Sequence, residues 1–277
     1  MTVLAVIFVI LSFIFLLLVE PRKCDKERYS KFAGRSYAHR GLYAQDQSIP
    51  ENSLAAFTAA RDGGFGIELD VHLLSDGHLA VVHDANLSRV CGIDRNICEL
   101  SSDDLKSCRL FGTEETIPLF SDVLSLIDGK VPLIIEIKTD SGNHNEVCAE
   151  LWNELRFYRG LFCVESFDPR AVAWFNRHQP NIYRGQLVRP YAVLKKTSPK
   201  LAAFIVSNVL SNIISRPHFI AHDGGKKSFP VRVCEALGAR KITWTVSDNA
   251  RLSACELNND CLIFEHCDAR PRYYKEL

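Results

Sequence analysis

Short apolar runs alternate with stretches of helical periodicity along most of this chain, and one long apolar run stands before them all. Strand-like runs fall at 161–165, 182–188, 218–221, 241–246 and 261–265, and three earlier ones centre on Tyr37, Ile67 and Leu133. The stretches between them carry helix signals. Asn52 or Ser53 caps a helix over 54–61 that Gly63-Gly64 ends, and Asp168 followed by Pro169 opens another. Ile117-Pro118-Leu119 leads into a helix through Ile127, closed by Gly129. Between Asp84 and Pro118 the pattern breaks into an irregular excursion with one short helix near 102–108. Eight strand–helix units within about 240 residues predict a TIM (β/α)8 barrel. A doubly wound open sheet would more often carry a glycine-rich phosphate loop after its first strand, and none is present.

The long opening run is of another kind. Thr2–Val19 has no charge and is almost wholly Val, Ile, Leu and Phe. At about 1.5 Å per residue it approaches the ~30 Å hydrocarbon core of a bilayer. It reads as a transmembrane anchor over residues 1–20, followed by a basic linker over 21–35 and the barrel domain over 36–277. A cleaved signal peptide would want a basic stretch before the run and a small-residue cleavage site after it, and neither is there. Arg22, Lys23, Lys26, Arg28 and Lys31 follow the run, which by the positive-inside rule places the barrel on the cytoplasmic side of a single-pass membrane protein. Ten cysteines with no C-x-x-C pair and no zinc spacing fit a reducing compartment. Across 277 residues, 33 lysines and arginines balance 33 aspartates and glutamates, so no net field recommends nucleic acid as a partner. The sequence points to no protein partner either.

The chemistry gathers in residues 66–84, GIELDVHLLSDGHLAVVHD. Glu68, Asp70 and His72 alternate with Ile67, Leu69 and Val71, and this period of two sends both carboxylates to one face of a strand. Adjacent carboxylates repel, and a shared proton or a bound cation is the usual remedy. A turn at Ser75-Asp76-Gly77 then returns a strand that delivers His83 and Asp84. In a barrel the C-terminal ends of the strands converge on one face, which gathers His39, Arg40, Glu68, Asp70, Glu136, Lys138, Glu165 and Trp244. Glu68, Asp70 and Glu136 supply hard oxygen ligands for a divalent cation, Mg2+ or Ca2+, rather than zinc. The planar fork of Arg40 and the compact charge of Lys138 suit a phosphate, and His39 and His83 titrate where a general acid and base must. A lone histidine after a strand is more often a satisfied hydrogen bonder, and His72, His78, His144, His178, His218 and His222 are read so. Glu165 is held as a ligand-side residue only.

These residues resemble the glycerophosphodiester phosphodiesterases through His39-Arg40-Gly41, Pro50-Glu51-Asn52-Ser53, Ala56-Phe57, Glu68-Leu69-Asp70-Val71, Asp76-Gly77 and His83-Asp84. Ile117-Pro118, Glu136-Ile137-Lys138, Ser166-Phe167 and Trp244-Thr245-Val246 extend the match over about residues 36–266. The resemblance implies a metal-dependent TIM barrel that hydrolyses phosphodiesters of glycerol to glycerol 3-phosphate and an alcohol. It implies metal ligation by Glu68, Asp70 and Glu136, with Glu51 as a further ligand or a supporting neighbour. It makes His39 and His83 the catalytic pair, Arg40 and Lys138 the phosphate holders, and places Trp244 beside the substrate. Two positions depart from the pattern: Glu265-His266 stands where the family usually closes with Thr-Asp, and Ser247 replaces a common Asn. Both bear on substrate choice. A lysophospholipase D cleaving the same bond is the near alternative, encouraged by the anchor and by the apolar stretch over 201–214. A non-catalytic binder of phosphate esters is a further one. Glycoside hydrolysis would leave Arg40 and Lys138 with nothing to bind on a neutral sugar.

Overall fold

The computed structural model describes residues 2–140 and 142–273. Met1, residues 274–277, and the side chains of Thr2, Lys26 and Arg28 lie outside that description. Nine strands follow in chain order: β1 (Arg35–His39), β2 (Gly66–Leu73), β3 (Leu79–Val81), β4 (Leu133–Ile137), β5 (Phe162–Ser166), β6 (Arg184–Val188), β7 (Phe219–His222), β8 (Arg240–Val246) and β9 (Cys261–Phe264). Their order is β1-β9-β8-β7-β6-β5-β4-β2-β3, and a pairing of β1 with β2 closes the ring. Eight strands are therefore parallel members of a closed barrel, while β3 lies antiparallel on β2 as an extra strand. This is the TIM barrel expected from the alternation, with its excursion after the second strand.

Period-two alternation sorts each barrel strand into two layers. Ile67, Leu69 and Val71 of β2 and Leu133, Ile135 and Ile137 of β4 face outward onto the helices, where Phe57, Phe120 and Val147 complete the main core. The intervening residues face inward. Tyr37, Ile134, Cys163, Phe219, Ile242, Cys261 and Ile263 fill the lower barrel as a second core. Above that plug the inward positions turn acidic, with Glu68, Asp70 and Glu136 buried together.

Glycine makes room for the interior aromatics. Gly185 lies beside Phe219 in the β6–β7 register, and a Cβ added there would stand 1.9 Å from the Phe219 ring. Gly66 bears the same relation to Tyr37, at 2.4 Å. Gly185→Ala is expected to lower stability by about 1–3 kcal/mol through overpacking. Equal urea midpoints for the variant and the parent would show that Phe219 can move aside.

The excursion after β3 holds more order than its irregular sequence signals. It contains a helix at Ser88–Cys91 and 3-10 turns at Ile97–Glu99, Asp104–Ser107 and Leu110–Gly112, where one short helix was expected. Its apolar residues follow no single period because they converge from separate turns. Leu74, Val82, Leu87, Ile97, Leu100 and Leu105 bury one another in a small core of their own. That core presents Asp84 and Arg89 to the barrel mouth.

The N-terminal run is a helix over Thr2–Val19, as its composition requires, but it corrects the expected anchor. Among the described residues no helix is long and apolar enough to cross a membrane, so neither the transmembrane segment nor the single-pass location is supported. Eighteen residues rise only about 27 Å, against a core of about 30 Å. The end of the helix is moreover tied to the barrel. Val19 is buried with Val209, Ile220 and Val231, the Asn212 amide donates to the Val19 carbonyl at 3.1 Å, and Phe15 stacks on Phe229. The apolar stretch over 201–214 is no continuous helix either. It divides into Lys200–Ser207 and Asn212–Ser215 around Val209, whose φ is 50°. No disulfide joins any of the ten cysteines.

Candidate active site

Pairing of β1 with β2 and of β2 with β4 sets His39 beside Glu68, and Asp70 beside Glu136, across the barrel's acidic end. Glu68, Asp70 and Glu136 are all buried, and each offers an oxygen within 4.8 Å of the others'. Glu165 on β5 is the register neighbour of Glu136, and its Oε2 is buried without a hydrogen bond. Two cations answer these acids. The Lys138 Nζ stands 2.9 Å from Asp70 and 2.7 Å from Glu136. Arg40 donates to Glu51 at 2.7 Å and lies 3.6 Å from Asp70, while its backbone N–H donates to Glu68 at 3.2 Å. Asn52 donates at 3.0 Å to the Asp70 oxygen that Arg40 faces, and Lys138 holds the other.

The cations do not balance the acids evenly. Burial works against ionised Asp70, yet Lys138, His83, Arg40 and the Asn52 hydrogen bond hold it well below the ordinary range. Burial, with the charges of Asp70, Glu136 and Glu165, pushes Glu68 well above that range, and burial likewise raises Glu136 and Glu165. An acid raised in the fold stabilises it fully below its unfolded pKa and loses that contribution as pH rises through the folded value. Chelated protein is therefore expected to lose stability as pH climbs above the ordinary glutamate value of 4.5, with a divalent cation flattening the slope. The contribution of Asp70 is present above 3.8 and lost below it, so the two windows do not overlap. Melting curves in chelator and in Mg2+ check this, and a slope identical in both would contradict it.

Each catalytic histidine expected from the sequence is tied by its Nδ1 to a carboxylate. His39 donates to Glu265 at 2.7 Å, and the Tyr43 hydroxyl donates to the same oxygen at 2.8 Å. The His39 hydrogen bond holds Glu265 down to about 2. The His39 Nε2 then faces Glu68 at 3.9 Å. His83 donates to Asp84 at 2.7 Å, and Arg89 grips Asp84 at 2.6 Å and Glu51 at 2.7 Å. Burial outweighs the pull of Asp70 and holds His83 down to about 4, so it is neutral in near-neutral solution. Glu265→Gln, which removes the anion while keeping the shape, is expected to lower kcat about 10- to 100-fold with little change in KM. An unchanged kcat would make that pair structural only.

Most residues read from the sequence thus meet in one place. Glu51 joins through Arg40 and Arg89 rather than among the clustered carboxylates. Trp244 stands further off. Its ring meets Phe167 edge-on at 5.7 Å, and Phe167 lines a pocket of about 280 Å3 with His83, Glu136 and Lys138. His72 pairs with Asp140 at 2.9 Å on the same wall. Glu265 and Asp84 as histidine partners, and Arg89 as their bridge, were not singled out in the sequence. The signal for Glu265 was its departure from the family's closing Thr-Asp.

The model of the glycerophosphoryl diester phosphodiesterase family matches residues 39–269. The chain is 38% identical over 224 residues to a glycerophosphodiester phosphodiesterase of Caldanaerobacter subterraneus, covering 76% of this chain and 84% of that one. It is 31% identical over 140 residues to the lysophospholipase D GDPD1 of Rattus norvegicus, covering 46% of this chain and 43% of the rat protein. It is 31% identical over 157 residues to a glycerophosphodiester phosphodiesterase of Bacillus altitudinis, spanning 53% of this chain and 63% of that protein. Thus it spans less than two thirds of the rat and Bacillus relatives. Among solved structures, an Oleispira antarctica phosphodiesterase in complex with the product sn-glycerol-3-phosphate shares the fold, with a TM-score of 0.68 at 23% identity, covering 86% of this chain and 94% of that one. The chain belongs to the glycerophosphoryl diester phosphodiesterase family.

Proposed function

We propose that this chain hydrolyses glycerophosphodiesters to glycerol 3-phosphate and an alcohol. The observation that carries the reading is the pair of carboxylate-tethered histidines, His39 on Glu265 and His83 on Asp84, set around a buried acidic cluster that also holds Arg40 and Lys138. The donor set fits a hard divalent cation, because burial and like charge leave Glu68 and Glu136 poorly disposed to ionise without one. Glu68, Asp70 and Glu136 would hold that cation, which when bound supplies positive charge against the phosphoryl oxygens. The tethers leave each imidazole Nε2 for the reacting groups. One histidine takes the proton from the nucleophile and the other returns a proton to the leaving alkoxide. With water as nucleophile this gives glycerol 3-phosphate at once, and with the glycerol 2-hydroxyl it gives a cyclic phosphate that water then opens, the proton roles of the histidines reversed. Arg40 and Lys138 exchange part of their hold on the carboxylates for the phosphate. Release of glycerol 3-phosphate from glycerophosphocholine is expected with Mg2+ or Ca2+ and not with chelator. No release with either cation would sink the reading, and release undiminished by chelator would remove the metal from it.

A specific cavity favours a second substrate class, lysophospholipids cleaved at the same bond. An apolar cleft of about 430 Å3 runs beside the site, and Thr139, Phe167 and Asp168 line both. Leu194, Ala203 and Val206 form its far wall, and its volume lies in the range of small-molecule sites. An acyl chain on the glycerol would lie there. The name of the rat relative points the same way. Ala202 lines the cleft from its exposed side, so Ala202→Trp would fill it from solvent. This variant is expected to cut kcat/KM for lysophosphatidylcholine about tenfold or more while sparing glycerophosphocholine. Equal effects on both substrates would remove the acyl reading.

A further inference from the structure

A basic pocket opens on the outer side of the barrel wall, beyond the ends of β6 and β7. It measures about 270 Å3, and Arg189, Lys226, Lys227 and Arg232 line it. His222 belongs to its lining although only 1% of the residue is exposed. Its Nε2 has no hydrogen-bond partner, and its Nδ1 stands 3.3 Å from Asp223 without hydrogen-bond geometry. A buried imidazole nitrogen left unsatisfied is uncommon, and an acceptor oxygen entering the pocket would satisfy it. Acidic neighbours occupy two of the four cations: Lys227 pairs with Glu235, and Arg189 lies 4.0 Å from Asp223 and over the Trp244 ring. Lys226 and Arg232 form no ion pair among the described residues.

The rim is apolar and exposed. Tyr191 and Phe229 line the same pocket, with 37% and 65% of their surface open, and Phe204 meets Tyr191 edge-on. Phe15 of the N-terminal helix stacks on Phe229, and that helix exposes Leu4, Phe8 and Leu11 further along. The belt therefore runs from the helix to the pocket's edge. A basic pocket alone suits any phosphate. Set within such a belt, it suits a phosphate that stands among acyl chains, because the cations meet the headgroup layer while the rings enter the boundary below it. We propose that this pocket holds the phosphate of an anionic phospholipid headgroup and seats the barrel on an anionic membrane surface. The contact goes beyond hydrolysis and does not depend on it.

Sedimentation of the full chain with vesicles tests the contact. Binding is expected to phosphatidylcholine vesicles containing phosphatidylglycerol, and weakly if at all to phosphatidylcholine alone. Lys226→Glu with Arg232→Glu should weaken anionic binding about thirtyfold or more with an unchanged melting temperature. Lys106→Glu with Lys130→Glu makes the same change in net charge at exposed positions outside the pocket and should leave binding intact. Equal losses in the two pairs would reduce the effect to net charge and overturn the proposal. So would equal binding to neutral vesicles, untouched by the pocket variant, which would leave the apolar belt alone responsible. Inorganic phosphate bound through Lys226 and Arg232, with no vesicle binding, would make a free anion the ligand and overturn it as well.

Discussion

Replacing His39 or His83 by alanine is expected to lower kcat by about 10^2 to 10^4, the usual worth of a positioned proton donor or acceptor. The two losses should not multiply. Each histidine serves the same turnover, so the double variant should fall little below the worse single one. Neither change should unfold the protein. His39 removal leaves Glu265 with its Tyr43 hydrogen bond, and His83 removal leaves Asp84 gripped by Arg89. Steady-state kinetics on glycerophosphocholine beside melting curves make the check. Near-normal turnover in both variants with intact melts would end the acid–base assignment, whereas a collapsed melt would move these histidines to a structural role.

Glu68→Gln should separate stability from activity. Burial and its acidic neighbours hold the Glu68 carboxyl well away from ionisation, and an amide of the same shape relieves that conflict. Its carbonyl can still accept the Arg40 backbone N–H. The metal-free variant is therefore expected to melt higher than the metal-free parent, by about 2–4 °C for each kcal/mol recovered. Activity should fall by about a thousandfold or more, since a bound cation contributes several kcal/mol to such reactions. Mg2+ should raise the parent's melting temperature and hardly move the variant's. A variant less stable than the parent in chelator would show that Glu68 is an ordinary buried hydrogen-bond acceptor. Retained activity would remove it from the metal site.

How far the sequence could be read depended on period. Strands whose inward and outward residues alternate announced both the barrel and its acidic end, because Glu68 and Asp70 must share a face wherever Ile67 and Leu69 are buried. The histidine tethers lacked such a signal. Glu265 lies 226 positions from His39, and only closure of β1 on β9 brings them together. Arg89 was equally hidden inside the excursion, whose core draws on several turns and leaves no repeating pattern. The N-terminal run shows the opposite error. Its composition reads as a span, while the burial of Val19 and the stacking of Phe15 on the barrel depend on partners some two hundred residues away. His222 was set aside as structural, and its neighbourhood of Lys226 and Arg232 acquires meaning only when the helices around it are in place.

The seam between β1 and β9 carries one more consequence, for a chain emerging from the ribosome. Among the described barrel strands the one bearing His39 is made first, and Glu265 follows the last of them. The acidic cluster draws on β2 and β4, so a nascent chain synthesised only as far as β4 already possesses those carboxylates. It does not possess the His39–Glu265 tether until β9 has left the exit tunnel and slid between β8 and β1. An incomplete chain would then carry the acidic residues before His39 has its partner, which makes ring closure the step that completes the site.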